Sequence, residues 1–419
     1  MSEFDTGLLS RTESVTAAAQ NIASERQMRI FLICHRVPFP PDRGDRIATF
    51  NLVRHLGQKH EVHVFCLGDG PTDAAGVAAL RGFARTVTAA PRSKIGEKIR
   101  GMKALFTQTP LSVAFANERQ LHEAIEATSR AFPPDLVIVY SSEMAQFATK
   151  IPHASRIMNF SDLDSQKWSS YGKSRAFPLN RIYRREAALL LAHERRIAET
   201  FSHSLVCTQA EKQDFEKLIP GQPVSVLSNG VDLEHFCSRH VPKRSGMMIF
   251  TGVMDYFPNV DATRWFCDQI LPRVRERVPY ATFVICGKSP TAAVKRLATQ
   301  PGVEVTGEVP DVRPYLDTAE ICVVPMRIAR GIQNKLLEGL AMGLPCISSR
   351  CSWNGTVIEE GDGVLVADDP DEFAEHAVRL LQDEPYRDQL GRRARASVEN
   401  HYAWDQQLRQ LDRIIRHLC

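Results

Sequence analysis

Short runs of β-branched and apolar residues alternate with helical patterns along most of the chain, and no other feature restricts the fold as much. In the first half the runs are MRIFLIC (28–34), EVHVFCL (61–67), DLVIVY (135–140), SRIMNF (155–160), SLVCT (204–208) and PVSVL (223–227). In the second half they are MMIFTG (247–252), ATFVICG (281–287), VEVTG (303–307), ICVVP (321–325), PCISS (345–349) and GVLVA (363–367). Strands that alternate with helices predict parallel sheets covered on both faces. The polar, Pro- and Gly-punctuated stretch CSRHVPKRSG (237–246) separates the two sets. The expected architecture is α/β: two tandem doubly wound, Rossmann-like domains at 29–236 and 247–400, facing each other across a cleft. Residues 1–28 lack an apolar core segment and predict a flexible tail rather than a signal peptide. Residues 401–419 predict a helix that crosses back to the first domain. Ligands of such sheets bind beyond the carboxyl ends of the strands, so the cleft is the expected site.

Composition narrows the function classes. A net charge of +3 in 419 residues gives no footprint for nucleic acid. No apolar run approaches the ~18 residues of a membrane span. The ten cysteines form no C-x-x-C pair, and Cys34, Cys66, Cys286, Cys322 and Cys346 fall in strand-like runs as small apolar residues. A reduced, cytoplasmic protein is expected.

The segment GIQNKLLEGLAMG (331–343) sits between the strands ICVVP and PCISS. A helix starting there presents unpaired N–H groups and about half a positive charge at its N-terminus, and GIQN gives it flexible backbone for an anion. Lys335 adds a full charge. Glu338, three residues on, shares the same helix face and is placed to accept hydrogen bonds from ligand hydroxyls. Together they suit a diphosphate with a sugar. The plainer alternative is a solvated Lys335 and a Glu338 that only offsets the helix dipole.

The first βα loop, HRVPFPPDRGDR (35–46), places Gly44 before Asp45, the expected N-cap of a helix whose face reads Ile47, Phe50, Val53 and Leu56. Backbone can approach a phosphate at Gly44, with Arg43 and Arg46 nearby; a Pro-rich structural turn is the alternative. The G-x-G-x-x-G fingerprint is absent, which counts against a nicotinamide enzyme.

The motifs NGVDLEHF (229–236), FTGVMDYFPNVDATRWF (250–266), VEVTGEVPDVRPYL (303–316) and GIQNKLLEGLAMGLPCIS together resemble the retaining GT-B glycosyltransferases of family 4. PFPPDRGDRIATFNLVRHL (38–56), SDLDSQKW (161–168) and RRE (184–186) narrow the resemblance to the sugar transferase of PEP-CTERM/exosortase polysaccharide systems. The resemblance runs from about Arg29 to the end. It implies a GT-B fold and a nucleotide-diphosphate sugar held by the second domain. Lys335, Glu338 and Arg330 are the implied catalytic residues. Gly44, Arg46, Gly252, Val309, Gly331, Ile332, Gln333, Asn334 and Leu336 are the implied donor contacts, with the base against GEVPD (307–311).

Three departures stand out. Where family members often have a Glu eight residues before the one matching Glu338 (E-x7-E), this chain has Arg330. The Arg and Lys that many members carry after the first strand of the second domain are missing from TGVMDYFPN (251–259). The histidine many have after the strand matching VIVY is replaced by SSEM (141–144).

Asp162, Asp164 and Lys167, in the SDLDSQKW loop beyond a strand of the first domain, are the expected acceptor side; a capped turn explains the same residues. The helix beyond it has a core face of Ile182, Leu190, Ile197 and Phe201, and TQAE (208–211) reads as a capping box. No D-x-D motif or His/Cys/Asp cluster suggests a metal, so no metal and no cofactor are expected. Residues 81–106 hold seven Lys/Arg against one Glu, with Ile95, Ile99, Met102 and Phe106 at helical spacing. Such a basic amphipathic helix can rest on anionic lipid; an ordinary surface helix is the alternative. The expected partners are a nucleotide-sugar donor and a lipid-linked saccharide acceptor, with peripheral contact at the inner face of the membrane through 81–106. Two other functions fit the fold: a nucleotide-sugar epimerase, which needs acid/base groups in the cleft, and a non-catalytic nucleotide-sugar binding protein.

Overall fold

All twelve strand-like runs form strands, each paired in parallel with its neighbours. The computed structural model describes residues 26–70, 73–174 and 177–419; most of the predicted tail, residues 1–25, lies outside them. The first sheet contains β1 (Arg29–Cys34), β2 (Glu61–Gly68), β3 (Thr86–Pro91), β4 (Leu136–Tyr140), β5 (Ser155–Ser161), β6 (His203–Val206) and β7 (Val224–Val226), in the order β3-β2-β1-β4-β5-β6-β7. The second contains β8 (Met247–Thr251), β9 (Thr282–Cys286), β10 (Val303–Gly307), β11 (Ile321–Val324), β12 (Cys346–Ser348) and β13 (Val364–Val366), in the order β10-β9-β8-β11-β12-β13.

Strand periodicity explains the layering. In β1, Phe31 and Ile33 face one way, onto Leu121, Ile125 and Phe147. Ile30 and Leu32 face the other, onto Leu52, Val53 and Leu56. Both faces are apolar because helices cover both. The strand order reverses between β1 and β4 in one sheet and between β8 and β11 in the other. Loops leaving such a pair diverge to opposite faces and open a crevice at the carboxyl ends.

The C-terminal helix, Trp404–Leu418, packs Leu408, Leu411 and Ile415 into the first domain. Its Asp412 accepts from His55 Nε2 at 2.8 Å and Lys59 Nζ at 2.6 Å. Burial works against ionisation of Asp412, but those two bonds outweigh it and hold the carboxyl at about 2.

Several local expectations change. Residues 81–106 are not one helix. β3 takes 86–91, pairing with β2, and the helix begins at Lys94, capped by Ser93. Asp45 is not an N-cap: the helix Gly44–Gly57 begins after Arg43, leaving Asp45 in its first turn. Ile182 is exposed rather than core, whereas Leu190, Ile197 and Phe201 are buried. The capping box at Thr208 is present, its Oγ1 accepting from Glu211 N at 3.0 Å.

Candidate active site

The helix Asn334–Ala341 opens just beyond β11, at the crevice of the second sheet. Gln333 precedes it with extended backbone and no side-chain cap, so its side chain leaves the first-turn N–H groups to other partners. Instead, Gln333 Nε2 donates to Arg330 O at 3.1 Å. Gly331 has φ +61°, a left-handed conformation that favours glycine. A Cβ there would sit 3.0 Å from Cys207 Sγ and 3.3 Å from Asp162 Oδ1. The loop of the second domain therefore rests directly on the first.

Lys335 is half-buried in the first turn of this helix. Its Nζ donates to Asn259 Oδ1 at 2.7 Å and lies 4.7 Å from the centre of the Phe250 ring. Burial pulls its pKa down to about 8, with Glu338 pulling the other way. Burial also pushes Glu338 up to about 7, against the attraction of Lys335. An anion arriving here would favour the charged form of Lys335 and offset the cost of its burial. Gly252 completes this wall with φ +155°, and a Cβ there would meet Asn259 Nδ2 at 2.8 Å.

The first domain approaches from the opposite side. A Cβ on Gly44 would lie 3.6 Å from Asn334 Nδ2, and Asn334 Oδ1 accepts from Asn229 Nδ2 at 3.2 Å. Arg46 pairs with Asp42 at 3.1 Å, and Asp42 also pairs with Lys288 of the second domain. Arg330 reaches across to Glu211 at 3.4 Å. Val309 packs half-buried against the core of the second domain. The side chains of Ile332 and Leu336 are turned into that core, which leaves only their main chain to offer a ligand.

At the expected acceptor side, Asp162 accepts from Ser161 Oγ at 3.1 Å. Asp164 opens the helix Asp164–Ser174 and accepts from Ser142 Oγ at 3.2 Å. Burial, then the neighbouring charge of Glu143, pushes Asp164 up to about 7; Lys167 pulls it down. Burial likewise raises Glu211 to about 7, with Asp162 adding to the rise and Arg330 opposing it.

Sequence reasoning missed His35, Glu143, Arg92, Asn259 and Lys288. His35 is the first residue after β1 and Glu143 the third after β4, so position at a strand end was the available signal. Nothing in the spacing tied Lys288 to Asp42 or Asn259 to Lys335. Among the described residues no three His, Cys, Asp or Glu side chains converge as a metal site. No helix among them is long and apolar enough to cross a membrane.

Comparison with known proteins agrees with this fold. Residues 46–235 match the model for glycosyltransferase family 4, and residues 246–383 match that for glycosyl transferases group 1. A UDP-Gal:α-D-GlcNAc-diphosphoundecaprenol α-1,3-galactosyltransferase of Escherichia coli is 24% identical over 205 residues, 43% of this chain and 51% of that protein. The chain covers between 19% and 58% of the length of the curated relatives it matches. Among solved structures, sucrose-phosphate synthase of Thermosynechococcus elongatus superposes with TM-score 0.70 at 17% identity, over 94% of this chain and 99% of that one. Anabaena HepE in complex with UDP superposes with TM-score 0.66 at 12% identity, over 93% and 100%. The chain is thus a GT-B-fold protein whose first domain matches the glycosyltransferase family 4 model and whose second matches the glycosyl transferases group 1 model.

Proposed function

We propose that this protein is a retaining glycosyltransferase that moves a sugar from a nucleotide-diphosphate donor onto a lipid-linked or growing polysaccharide acceptor, in an exopolysaccharide system of the PEP-CTERM/exosortase type. The carrying observation is the pairing of Lys335 and the helix start at Asn334 with Gly44 across the cleft. The donor's diphosphate lies against Lys335, the first-turn N–H groups and the Gly44 backbone, and its ribose against Glu338. Arg330 and the 331–334 loop close the sugar end, with Gly252 and Val309 on the base side. Arg46 and Lys288 supply charge that the 251–259 loop lacks. The two domains thus hold the leaving group with fixed cations and N–H groups, which act where charge develops, and the acceptor enters beside Asp162, Asp164 and Lys167.

Same-face attack asks for no covalent intermediate: the bond from the anomeric carbon to the phosphate oxygen breaks as the acceptor oxygen approaches, and the diphosphate leaves with the electron pair. No metal takes part in this reading, because Lys335 and the helix start meet the diphosphate. The acceptor side is assigned a lipid-linked saccharide at the inner face of the membrane. HepE with UDP and the E. coli UDP-Gal enzyme support a nucleotide-sugar donor. A thermal-shift screen against UDP-, GDP- and ADP-sugars tests the reading. Stabilisation by one nucleotide series, lost in Lys335→Ala, is expected. Stabilisation by none, or unchanged in that variant, overturns it.

A further inference from the structure

Five charged side chains gather where β1, β2 and β3 end. Arg36 is the second residue after β1, Asp69 the first after β2 and Arg92 the first after β3, and these strands are neighbours in the sheet. Arg36 Nε lies 3.2 Å from Asp45 Oδ2 and 3.9 Å from Asp69 Oδ2. Arg92 Nε lies 3.4 Å from Asp69 Oδ1, and Arg43 Nε lies 4.0 Å from Asp45 Oδ1. Three guanidiniums thus alternate with two carboxylates, which leaves one positive charge in excess. The carboxylates do not saturate the guanidiniums: Arg36 Nε and Arg92 Nε are buried and donate to no partner among the described residues. Buried N–H groups are rarely left so, and an ion-pair network that served only to tie the loops together would use them. Burial lowers the pKa of Arg36, with Asp45 and Asp69 opposing the change and Arg43 and Arg92 adding to it. An anion would stabilise such a desolvated cation. Arg92 is held in place as well: its Nη2 donates to His35 Nε2 at 2.6 Å, and His35 meets Glu143 through Nδ1.

The cluster borders the cleft without belonging to the donor site. Asp45 follows Gly44, where a Cβ would lie 3.6 Å from Asn334 Nδ2 of the second domain. From Asp45 the charges run through Arg36 and Asp69 to Arg92, along the ends of β1, β2 and β3. Arg46 and Lys288, assigned to the donor, pair with Asp42 instead. Just beyond Arg92 the helix Lys94–Leu105 begins, and Ile95 in its first turn is 75% exposed. Guanidinium groups present parallel N–H donors that match phosphate oxygens, and an exposed apolar side chain three residues on suits a hydrocarbon chain leading away from that phosphate. Resting on the glycosyl-transfer reading above, we propose that Arg36, Arg43 and Arg92 bind the diphosphate through which the acceptor saccharide is joined to its lipid. Asp45 and Asp69 hold the guanidiniums apart, and the lipid-linked diphosphate accepts from the Nε groups they leave unpaired. The acceptor is then recognised by its linkage as well as by its sugar. A glycolipid whose saccharide is joined without phosphate leaves both Nε groups unpaired and is a poorer substrate.

The test is calorimetric binding of geranyl diphosphate to wild type, Arg36→Gln, Arg43→Gln and Lys335→Ala, with pyrophosphate, geraniol and the nucleotides UDP, GDP and ADP as comparisons. Wild type should bind geranyl diphosphate more tightly than pyrophosphate, and geraniol not at all. Arg36→Gln should weaken geranyl diphosphate binding about tenfold or more, the loss of one charge-assisted contact, and leave nucleotide affinity unchanged, which also shows that the variant is folded. Arg43 is 47% exposed, so Arg43→Gln tests the same site with little risk to folding and should weaken binding severalfold. Lys335→Ala should weaken nucleotide binding and keep the geranyl diphosphate site that Arg36→Gln removes. Geranyl diphosphate binding unchanged in both arginine variants, or nucleotide affinity that falls with it in Arg36→Gln, overturns the proposal alone. Pyrophosphate bound as tightly as geranyl diphosphate overturns it in favour of a free phosphate ligand. A geranyl diphosphate site lost in Arg36→Gln, in a protein that binds none of the three nucleotides, overturns the donor reading and leaves the diphosphate site standing.

Discussion

Lys335 Nζ sits between Asn259 Oδ1, at 2.7 Å, and the face of the Phe250 ring, whose centre is 4.7 Å away. The amide and the ring position the ammonium without neutralising it, so its charge is available to a ligand. Lys335→Ala should therefore lower the transfer rate by about 10²–10³-fold, the usual loss for one preorganised charge-stabilising contact. Glu338→Ala should mainly weaken donor binding. Steady-state kinetics separate the two as a kcat effect and a KM effect. Wild-type values in both variants would remove the donor from this helix start.

The titration of Lys335 gives a second expectation. Burial lowers its pKa to about 8, so the empty site loses its positive charge as pH rises through 8. Donor affinity should be constant below that and weaken about tenfold per pH unit above it, because binding then requires uptake of a proton. Calorimetry between about pH 7 and 9.5, with Lys335→Arg as the comparison, checks this. The arginine stays charged across the range, so its affinity should not follow the same slope.

The Lys288–Asp42 ion pair crosses the mouth of the cleft. Both side chains are about one-third exposed, so the pair itself adds less than about 1 kcal/mol to stability. Such a contact is easily exchanged for a phosphate, which carries more charge. Lys288→Ala should weaken nucleotide-diphosphate binding by about tenfold, the equivalent of one ~1.4 kcal/mol contact. Asp42→Ala should leave that affinity equal or higher, since Lys288 and Arg46 lose a competing carboxylate. Equal losses in both variants would make the pair a plain structural clasp.

The strands were legible in the sequence because a strand covered on both faces is apolar without interruption, as VIVY and FVIC are. β3 was not: apart from Ala90, TVTAAP is exposed or half-buried, and it pairs on one edge only, so its basic flanks dominate the pattern. The segment around Lys335 was legible because strand, glycine, polar run and helix are consecutive in the chain. The Arg92–His35–Glu143 array was not, since its members lie 51 or more residues apart on either side and only the order β3-β2-β1-β4 gathers them. Resemblance to a family supplied donor contacts at Ile332 and Leu336, yet their side chains serve the core. A motif records positions, and burial decides which atoms of each position a ligand can meet.

Chelation is the next test. Lys335, Arg46, Lys288 and the uncapped N–H groups at Asn334 supply positive charge around the place assigned to the diphosphate. Activity should survive EDTA without loss. Abolition by EDTA with recovery on adding Mg²⁺ or Mn²⁺ would show that a metal shares the leaving-group role.

The remaining prediction concerns the membrane. The helix Lys94–Leu105 leaves Ile95 75% exposed, with Ile99, Met102 and Leu105 also in solvent, and Phe106 just beyond it is 91% exposed. Arg185, on the helix Leu179–Thr200, donates to Ala104 O at 2.8 Å and to Thr107 O. That contact brings the start of the second helix, with exposed Phe177, Leu179 and Ile182, to the same end of the first domain. Lys94, Lys98, Lys103, Arg181 and Arg184 are exposed on these two segments. Arg92 and Arg100 are already engaged, by His35 and Asp69 and by Glu118, and are left out of the test. Each basic side chain near anionic lipid contributes about 1 kcal/mol, screened by salt, and an inserted Phe106 adds its apolar area. Wild type should co-sediment with phosphatidylserine-containing vesicles, less at high salt, and not with neutral ones. Changing Lys94, Lys98, Lys103 and Arg181 to Gln should cut binding at least tenfold, and Phe106→Ser should weaken it independently of salt. Transfer to a soluble acceptor should persist in both variants, since none of these residues touches the cleft groups. Equal binding by wild type and variants, or none by wild type, would return both segments to ordinary solvated surface.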